Sequence, residues 1–304
     1  MERHLVVGAG PVGTAVARLL AQAGHDVTVA TRSGRDTGLR GVHHVSADAS
    51  DPDALTAVVP DADVLYNCAN PGDYTRWDAV WPPLAAALLT TAERTGAVYA
   101  ITGNLYPYGP VDGPLTEDLP DAARDHKGRL RAQIWAEALA AHEAGRVRAV
   151  EVRGSDHVGP GVGQNGHVSR VVPAALRGKP VTMIGRTDLP HTFTDVRDVA
   201  RTLVAAAADP GAHGRTWHVP SHPPVTQAHA LRDVLASVGR PPVKVRSLRG
   251  PVLAAVALVQ PLVREIRELA YQWERPYVLD STAAQQRFGI EPTPWGEVCR
   301  ATAG

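Results

Sequence analysis

The stretch His4-Leu5-Val6-Val7-Gly8-Ala9-Gly10-Pro11-Val12-Gly13 runs from an apolar strand through a glycine loop into an amphipathic helical pattern, Val12–Ala23. A G-x-G-x-x-G pattern alone is common, but between a strand and a helix it acquires a mechanism. The first glycine permits a tight turn, the second lets backbone approach a pyrophosphate, and the third lets the helix pack closely on the strand. The unpaired N–H groups and positive dipole end of the helix then favour phosphate. Gly8, Gly10, Pro11, Val12 and Gly13 are therefore expected to bind a dinucleotide.

Outward from this loop, apolar runs alternate with helical patterns, the signature of a parallel sheet covered by helices. Strands are expected at His4–Val7, Asp26–Ala30, Val42–Val45, Val64–Asn67, Val98–Thr102 and Val147–Val152. Helices are expected at Val12–Ala23, Pro52–Val58, Trp77–Thr95 and Arg129–Ala144. After Arg153 the alternation breaks into a glycine-rich loop, Gly154 to Gly166. A helix (Val168–Arg177), a strand (Val181–Ile184), a helix (Val196–Ala208) and a late strand (Thr216–Val219) follow. The expected fold class is α/β, a Rossmann-type doubly wound parallel sheet with a smaller, mostly helical C-terminal substrate region. The expected division is a dinucleotide-binding domain over 1–154 with a returning segment at 195–220, and a substrate-binding region over 155–194 and 221–304.

Composition narrows the partners. Among 304 residues, Lys plus Arg and Asp plus Glu each number 31, giving zero formal net charge. Nucleic acid and anionic membranes need a concentrated basic face, so neither is expected. The longest apolar run, Pro251 to Val263, is too short to span a bilayer. Met1 to Val7 enters a strand with no signal-peptide layout, so a cytoplasmic location is expected. Cys68 and Cys299 are the only cysteines, and neither His43-His44 nor His218 with His222 has a convincing ligand spacing, so no metal is expected.

The end of the second strand chooses between cofactors. An NAD site usually places a carboxylate there to accept from the ribose 2′-hydroxyl. Here Thr31-Arg32-Ser33-Gly34-Arg35 precedes the first acid, Asp36. Arg32 and Arg35 suit a 2′-phosphate, because a guanidinium fork matches phosphate oxygens, and NADP is expected ahead of NAD. The alternative is that both arginines are solvated loop residues.

The chain resembles the extended and atypical short-chain dehydrogenase/reductase superfamily, of the NAD-dependent epimerase/dehydratase kind. Beyond the glycine loop, the resemblance rests on Asp48-Ala49 after the third strand, Asn67-Cys68-Ala69-Asn70 at the end of the fourth, and Ile101-Thr102-Gly103-Asn104-Leu105-Tyr106 along the fifth. Arg153-Gly-Ser-Asp156-His157-Val-Gly-Pro160 is similar to the family's Arg-x-x-Asn-x-Tyr-Gly-Pro loop. His191-Thr-Phe193-Thr-Asp-Val-Arg-Asp198-Val-Ala200 is similar to its Arg-x-Phe-x-x-Val-x-Asp-Val-Ala segment. The resemblance implies that Thr31, Asp48, Ala49, Cys68, Ala69 and Asn70 line the adenine and ribose. It implies a small-molecule substrate near Asp156, His157, His191 and Phe193, and a homodimer.

The catalytic signature departs from the family. Where the family has Tyr-x-x-x-Lys, this chain has Lys127-Gly128-Arg129-Leu130-Arg131. Lys127 takes the tyrosine place, Arg131 the lysine place and Thr102 the Ser/Thr place. Arg131 and an oxidised nicotinamide are expected to lower the lysine pKa, making Lys127 a proton donor or a carbonyl-polarising cation, with Arg131 holding the ribose. Tyr106 is a second candidate donor. The bland reading keeps Lys127 and Arg131 as ordinary cations of an exposed helix.

The family's loop asparagine and later arginine help to hold a nucleotide diphosphate, and Asp156 and His191 stand in their places. An NADP(H)-dependent oxidoreductase of a small carbonyl or alcohol is the first expectation. A sugar-nucleotide epimerase or dehydratase with recycled cofactor, and a non-catalytic dinucleotide sensor or scaffold, are the alternatives. Tyr271, Trp273, Tyr277 and Phe288, with Val158 and Phe193, are expected to wall an apolar pocket or to be plain core.

Overall fold

A computed structural model describes residues 1–304 except the side chain of Leu262. The first half alternates β1 (Arg3–Val7), α1 (Pro11–Gln22), β2 (Asp26–Thr31), β3 (Val42–Ser46), α2 (Pro52–Val58), β4 (Val64–Asn67), α3 (Trp77–Thr95), β5 (Val98–Asn104), α4 (His126–Glu143) and β6 (Arg148–Gly154). Local chemistry sets these boundaries. Asp51 caps α2 through the N–H groups of Asp53 and Ala54, with Pro52 in the first turn, where its missing N–H costs nothing. Gly96 ends α3 in the left-handed conformation.

The second half carries β7 (Asp156–Val158), α5 (Val172–Leu176), β8 (Val181–Ile184), β9 (Pro190–His191), β10 (Phe193–Asp195), α6 (Val196–Ala208), β11 (Thr216–His218), β12 (Val225–Thr226), α7 (Gln227–Ser237) and β13 (Val245–Leu248). It closes with α8 (Gly250–Val259), α9 (Pro261–Arg267), α10 (Tyr271–Glu274), α11 (Thr282–Phe288) and α12 (Trp295–Ala303).

Seven parallel strands form the central sheet in the order β11-β6-β5-β4-β1-β2-β3. The order reverses between β1 and β4, the switch point outside whose carboxyl ends such sheets bind ligands. Helices α1 and α6 cover one face, over Val6, Val27, Val29 and Val152. Helices α2, α3 and α4 cover the other, over Leu5, Leu65, Tyr99 and Ile101. Burial on both faces explains why the inner strands β1 and β4 read as largely apolar runs. A third core, around Val158, Met183, Phe193 and Leu231, lies under the C-terminal elements.

Three expectations change. Helix α4 begins at His126, three residues before the expected Arg129, because Asp125 accepts from Gly128 N and caps it. Lys127 consequently lies in the first turn. The expected helix Val168–Arg177 divides into a 3-10 turn, Ser169–Val171, and α5, whose first turn holds Pro173. The loop expected over Gly154 to Gly166 contains β7, which pairs in parallel with β10. Strands of three residues are too short to show a period.

Candidate active site

At the carboxyl end of β1 the three loop glycines have separate roles. Gly8 has φ +105°, and a Cβ there would lie 2.7 Å from the Cys68 carbonyl oxygen. A Cβ on Gly13 would overlap the Gly8 carbonyl oxygen. Gly10 differs, since a Cβ there would meet no protein atom within 4 Å. The protein therefore gives no internal reason for glycine at that position, whereas a pyrophosphate lying against the backbone would. Gly10 also begins α1 with no side-chain cap, and Pro11 follows in its first turn. This uncapped helix end beside open space fits the phosphates of a dinucleotide.

Around this loop, Thr31 Oγ1 is buried at the end of β2 without a partner. Arg32 and Arg35 are exposed, and neither forms an ion pair among the described residues. Asp36 is turned into its own loop, accepting from Gly38 N at 2.7 Å. Asp48 folds back on Ser50, whose N–H and Oγ both donate to Oδ1 and hold the carboxyl pKa below its ordinary value. Ala49 and Ala69 are half-buried and Asn70 is exposed beyond β4. Cys68 is buried, and Thr102 Oγ1 donates toward its sulfur at 3.7 Å.

The start of α4 is where sequence and geometry part. Lys127 is 2% exposed, and its Nζ lies 2.6 Å from Glu265 and 2.7 Å from Glu268, at the end of α9. Glu268 also accepts from His126 N at 3.0 Å, so it caps the positive end of α4 as well. Burial alone would lower the Lys127 pKa, but the two glutamates outweigh it and the pKa is raised. The expectation that Arg131 would lower this pKa is therefore corrected: the nearer carboxylates decide its direction. Arg131 itself is buried, lies over Trp81 at 4.3 Å and donates to the Thr102 carbonyl at 2.8 Å. Its Nε has no partner.

A group of hydroxyls and rings lies on the same side. Tyr106 OH and Tyr74 OH are 3.1 Å apart, and Trp77 stacks on Tyr74 at 4.4 Å. Burial, then the neighbouring Tyr74 and Asp156, push the Tyr106 pKa well up, so its hydroxyl is a proton donor at neutral pH. Asp156 Oδ2 lies 2.9 Å from His191 Nε2 and accepts from Trp273 Nε1 at 3.0 Å. Burial works to raise the Asp156 pKa, but the hydrogen bond and charge of His191 outweigh it and the pKa is depressed. His191 Nδ1 faces the Gln272 carbonyl at 3.2 Å, while Nε2, though close to Asp156, is buried without a well-aligned hydrogen bond. Tyr277 stacks on the same ring at 5.4 Å, and its hydroxyl is buried without a partner.

His157 is half-buried with Nε2 unpartnered, and burial lowers its pKa. Phe193 packs beneath His191 in the third core. Phe288 packs on Trp217, away from the other three C-terminal aromatics. Residue spacing alone did not single out Tyr74, Trp77, Glu265 or Glu268. The one signal was Glu265 and Glu268 themselves, three apart and so on one helical face, with no basic partner at helical spacing to occupy both.

A doubly wound parallel sheet with an uncapped glycine loop at its switch point defines a dinucleotide-binding Rossmann protein. Residues 4–219 match the NAD dependent epimerase/dehydratase family, and the chain belongs to that family. No curated protein matches the sequence. Similar folds include the dTDP-glucose 4,6-dehydratase from Bacillus anthracis in complex with NAD, with TM-score 0.80 and 16% identity over 100% of this chain and 96% of that one. MoeE5 in complex with UDP-glucose and NAD has TM-score 0.77 and 20% identity over 99% and 97% of the two chains. The UDP-glucuronic acid 4-epimerase from Bacillus cereus in complex with NAD has TM-score 0.79 and 16% identity over 99% and 97%.

Proposed function

We propose that the chain is an NADP(H)-dependent oxidoreductase that reduces a small, weakly charged carbonyl compound or oxidises the matching alcohol. The observation that carries this reading is the Asp156–His191 pair. These two groups stand where the resemblance places the anchors of a nucleotide diphosphate, and here they face each other at 2.9 Å. A carboxylate repels a diphosphate, and a histidine whose ring is turned to Asp156 and the Gln272 carbonyl lacks the fork an arginine would offer one. Arg170 is drawn toward His167, with its guanidinium 3.1 Å from Nδ1.

The glycine loop holds the pyrophosphate, Thr31, Asp48, Ala49, Cys68, Ala69 and Asn70 line the adenine and ribose, and Arg131 holds the nicotinamide ribose. When bound, the reduced cofactor supplies hydride to a carbonyl carbon. Tyr106, backed by Tyr74, gives the carbonyl oxygen its proton. Lys127 fixes the start of α4 and is not the acid, because two carboxylates hold its proton tightly. Thr102 shapes the floor through its carbonyl bond to Arg131. Residues 155–194 and 221–304 supply the substrate side, on a soluble cytoplasmic enzyme. The similar structures hold NAD, and the proposal of NADP rests on Arg32 and Arg35.

A second reading is epimerisation or dehydration with retained cofactor, supported by the family match and by the sugar-nucleotide complexes among similar folds. Steady-state absorbance at the reduced-nicotinamide band separates the two. Consumption of NADPH with aldehydes or ketones supports the first. Turnover of a UDP- or dTDP-sugar without net redox change, on protein that purifies with cofactor, would replace it with the second.

A further inference from the structure

We propose that Glu2, His4 and His25 form a binding site for a divalent transition-metal ion, Zn²⁺ foremost, at the end of the sheet opposite the glycine loop. His4 is the second residue of β1 and His25 immediately precedes β2, so both lie at the amino ends of parallel strands whose carboxyl ends carry the cofactor loop. Each of the three residues offers one ligand atom, and these atoms all lie within 4.8 Å of one another. Glu2 Oε2 is 3.4 Å from His4 Nε2 and 3.7 Å from His25 Nδ1. Zinc bonds of roughly 2.0–2.1 Å in a tetrahedron put neighbouring ligand atoms about 3.3 Å apart, so the carboxylate already stands near the required spacing from both imidazoles.

His4 supplies the second, independent observation. It is 2% exposed, and neither Nδ1 nor Nε2 has a hydrogen-bond partner. A buried imidazole with both nitrogens unsatisfied is costly, and a metal ion at Nε2 removes half of that cost. The His25 ring stands edge-on to it at 4.7 Å, and Glu2 is 57% exposed, which leaves room for a water as fourth ligand and a path for the ion. The Glu2 N–H bond to His25 Nδ1, at 3.3 Å, is long enough to yield to a metal bond. Two imidazoles and one carboxylate suit zinc and its neighbours better than calcium or magnesium, which prefer all-oxygen shells. The ion would clip the start of β1 to the joint between α1 and β2. The sequence reading, which expected no metal, lacked this site because His25 reaches it only through the return of α1.

The test is calorimetric titration of tag-free, chelator-stripped protein with Zn²⁺, followed by Tm with and without one equivalent. The expected result is one equivalent bound and a rise in Tm. Glu2→Gln lowers the affinity by about tenfold or more and His25→Ala by about a hundredfold or more, each abolishing the rise in Tm. Both substitutions are at residues not fully buried, so folding survives where His4→Ala could unfold the strand. Cobalt in place of zinc should give the strong visible absorption of four-coordinate Co²⁺. Absence of one-equivalent binding overturns the proposal. So does binding that persists unchanged in Glu2→Gln and His25→Ala, since that would locate the ion at others of the 13 histidines.

Discussion

The glycine loop and the start of α4 are built on different principles. At the glycine loop Gly8 and Gly13 allow close backbone approach, Gly10 faces open space, and the protein leaves its own helix end uncapped. Away from it the charged groups are closed on themselves: Lys127, at the start of α4, meets Glu265 and Glu268, and Asp156, in β7, meets His191 and Trp273. Under the proposed function, a cofactor site is kept while the groups on the proposed substrate side are rebuilt. The first end is constrained by backbone geometry, and the second by side-chain charge, which can be rearranged without moving the sheet.

The largest effect expected from breaking this comparison comes from Gly13→Val. Its side chain would overlap the Gly8 carbonyl, so stability should fall by about 3 kcal/mol and NADPH affinity by more than about a hundredfold. Gly10→Ala sharpens the point, because the space is open. It should change stability by less than about 1 kcal/mol in urea titrations yet still weaken NADPH binding. Equal affinity in the Gly10 variant would refute the assignment of that space to a pyrophosphate.

Next in size is Lys127→Met, which strands two carboxylates. Breaking a buried pair costs about 3–5 kcal/mol, but Glu265 and Glu268 are 29% and 27% exposed, so about 2 kcal/mol is expected after solvent screening. Adding Glu265→Gln and Glu268→Gln to the same chain should recover most of it. Because the folded Lys127 pKa is raised, its contribution is complete below the unfolded value of 10.5 and is lost as pH rises through the folded one. Urea titrations at neutral pH and above pH 10.5 should therefore differ in wild type and converge in the variant.

Asp156 behaves in the opposite sense. Its depressed pKa means that its contribution is present above the unfolded value of 3.8 and is lost as pH falls through the folded one. Asp156→Asn should flatten the acid limb of the Tm–pH curve, and an unchanged limb would remove the pair from the account. The smallest effect is Arg32→Ala, expected to weaken NADPH about tenfold with NADH unchanged, or about 1.4 kcal/mol. Equal loss for both cofactors would return Arg32 to a solvated loop role.

The cofactor end was readable in the sequence because strand, glycines and helix are contiguous. The sheet was readable too, since strands buried on both faces leave apolar runs that bounds such as Val64–Asn67 match to the residue. The rebuilt end was not. Glu265 and Glu268 lie more than a hundred residues beyond Lys127, in a helical tail whose packing no local pattern encodes. Tyr74 reaches Tyr106 only because the turns that follow β4 and β5 come together in the fold. Asp156 and His191 were visible as departures, but a sequence shows two residues and not the 2.9 Å between them.

The most direct test of the separation between the two ends is the NADPH dissociation constant, by fluorescence titration, of folded wild type and Lys127→Met. Intact binding in wild type and a change of less than about threefold in the variant are predicted, because the ammonium is held by glutamates and the proposed ribose contact falls to Arg131 instead. Failure of wild type to bind, or a loss of more than about tenfold in the variant, roughly 1.4 kcal/mol, would contradict the account.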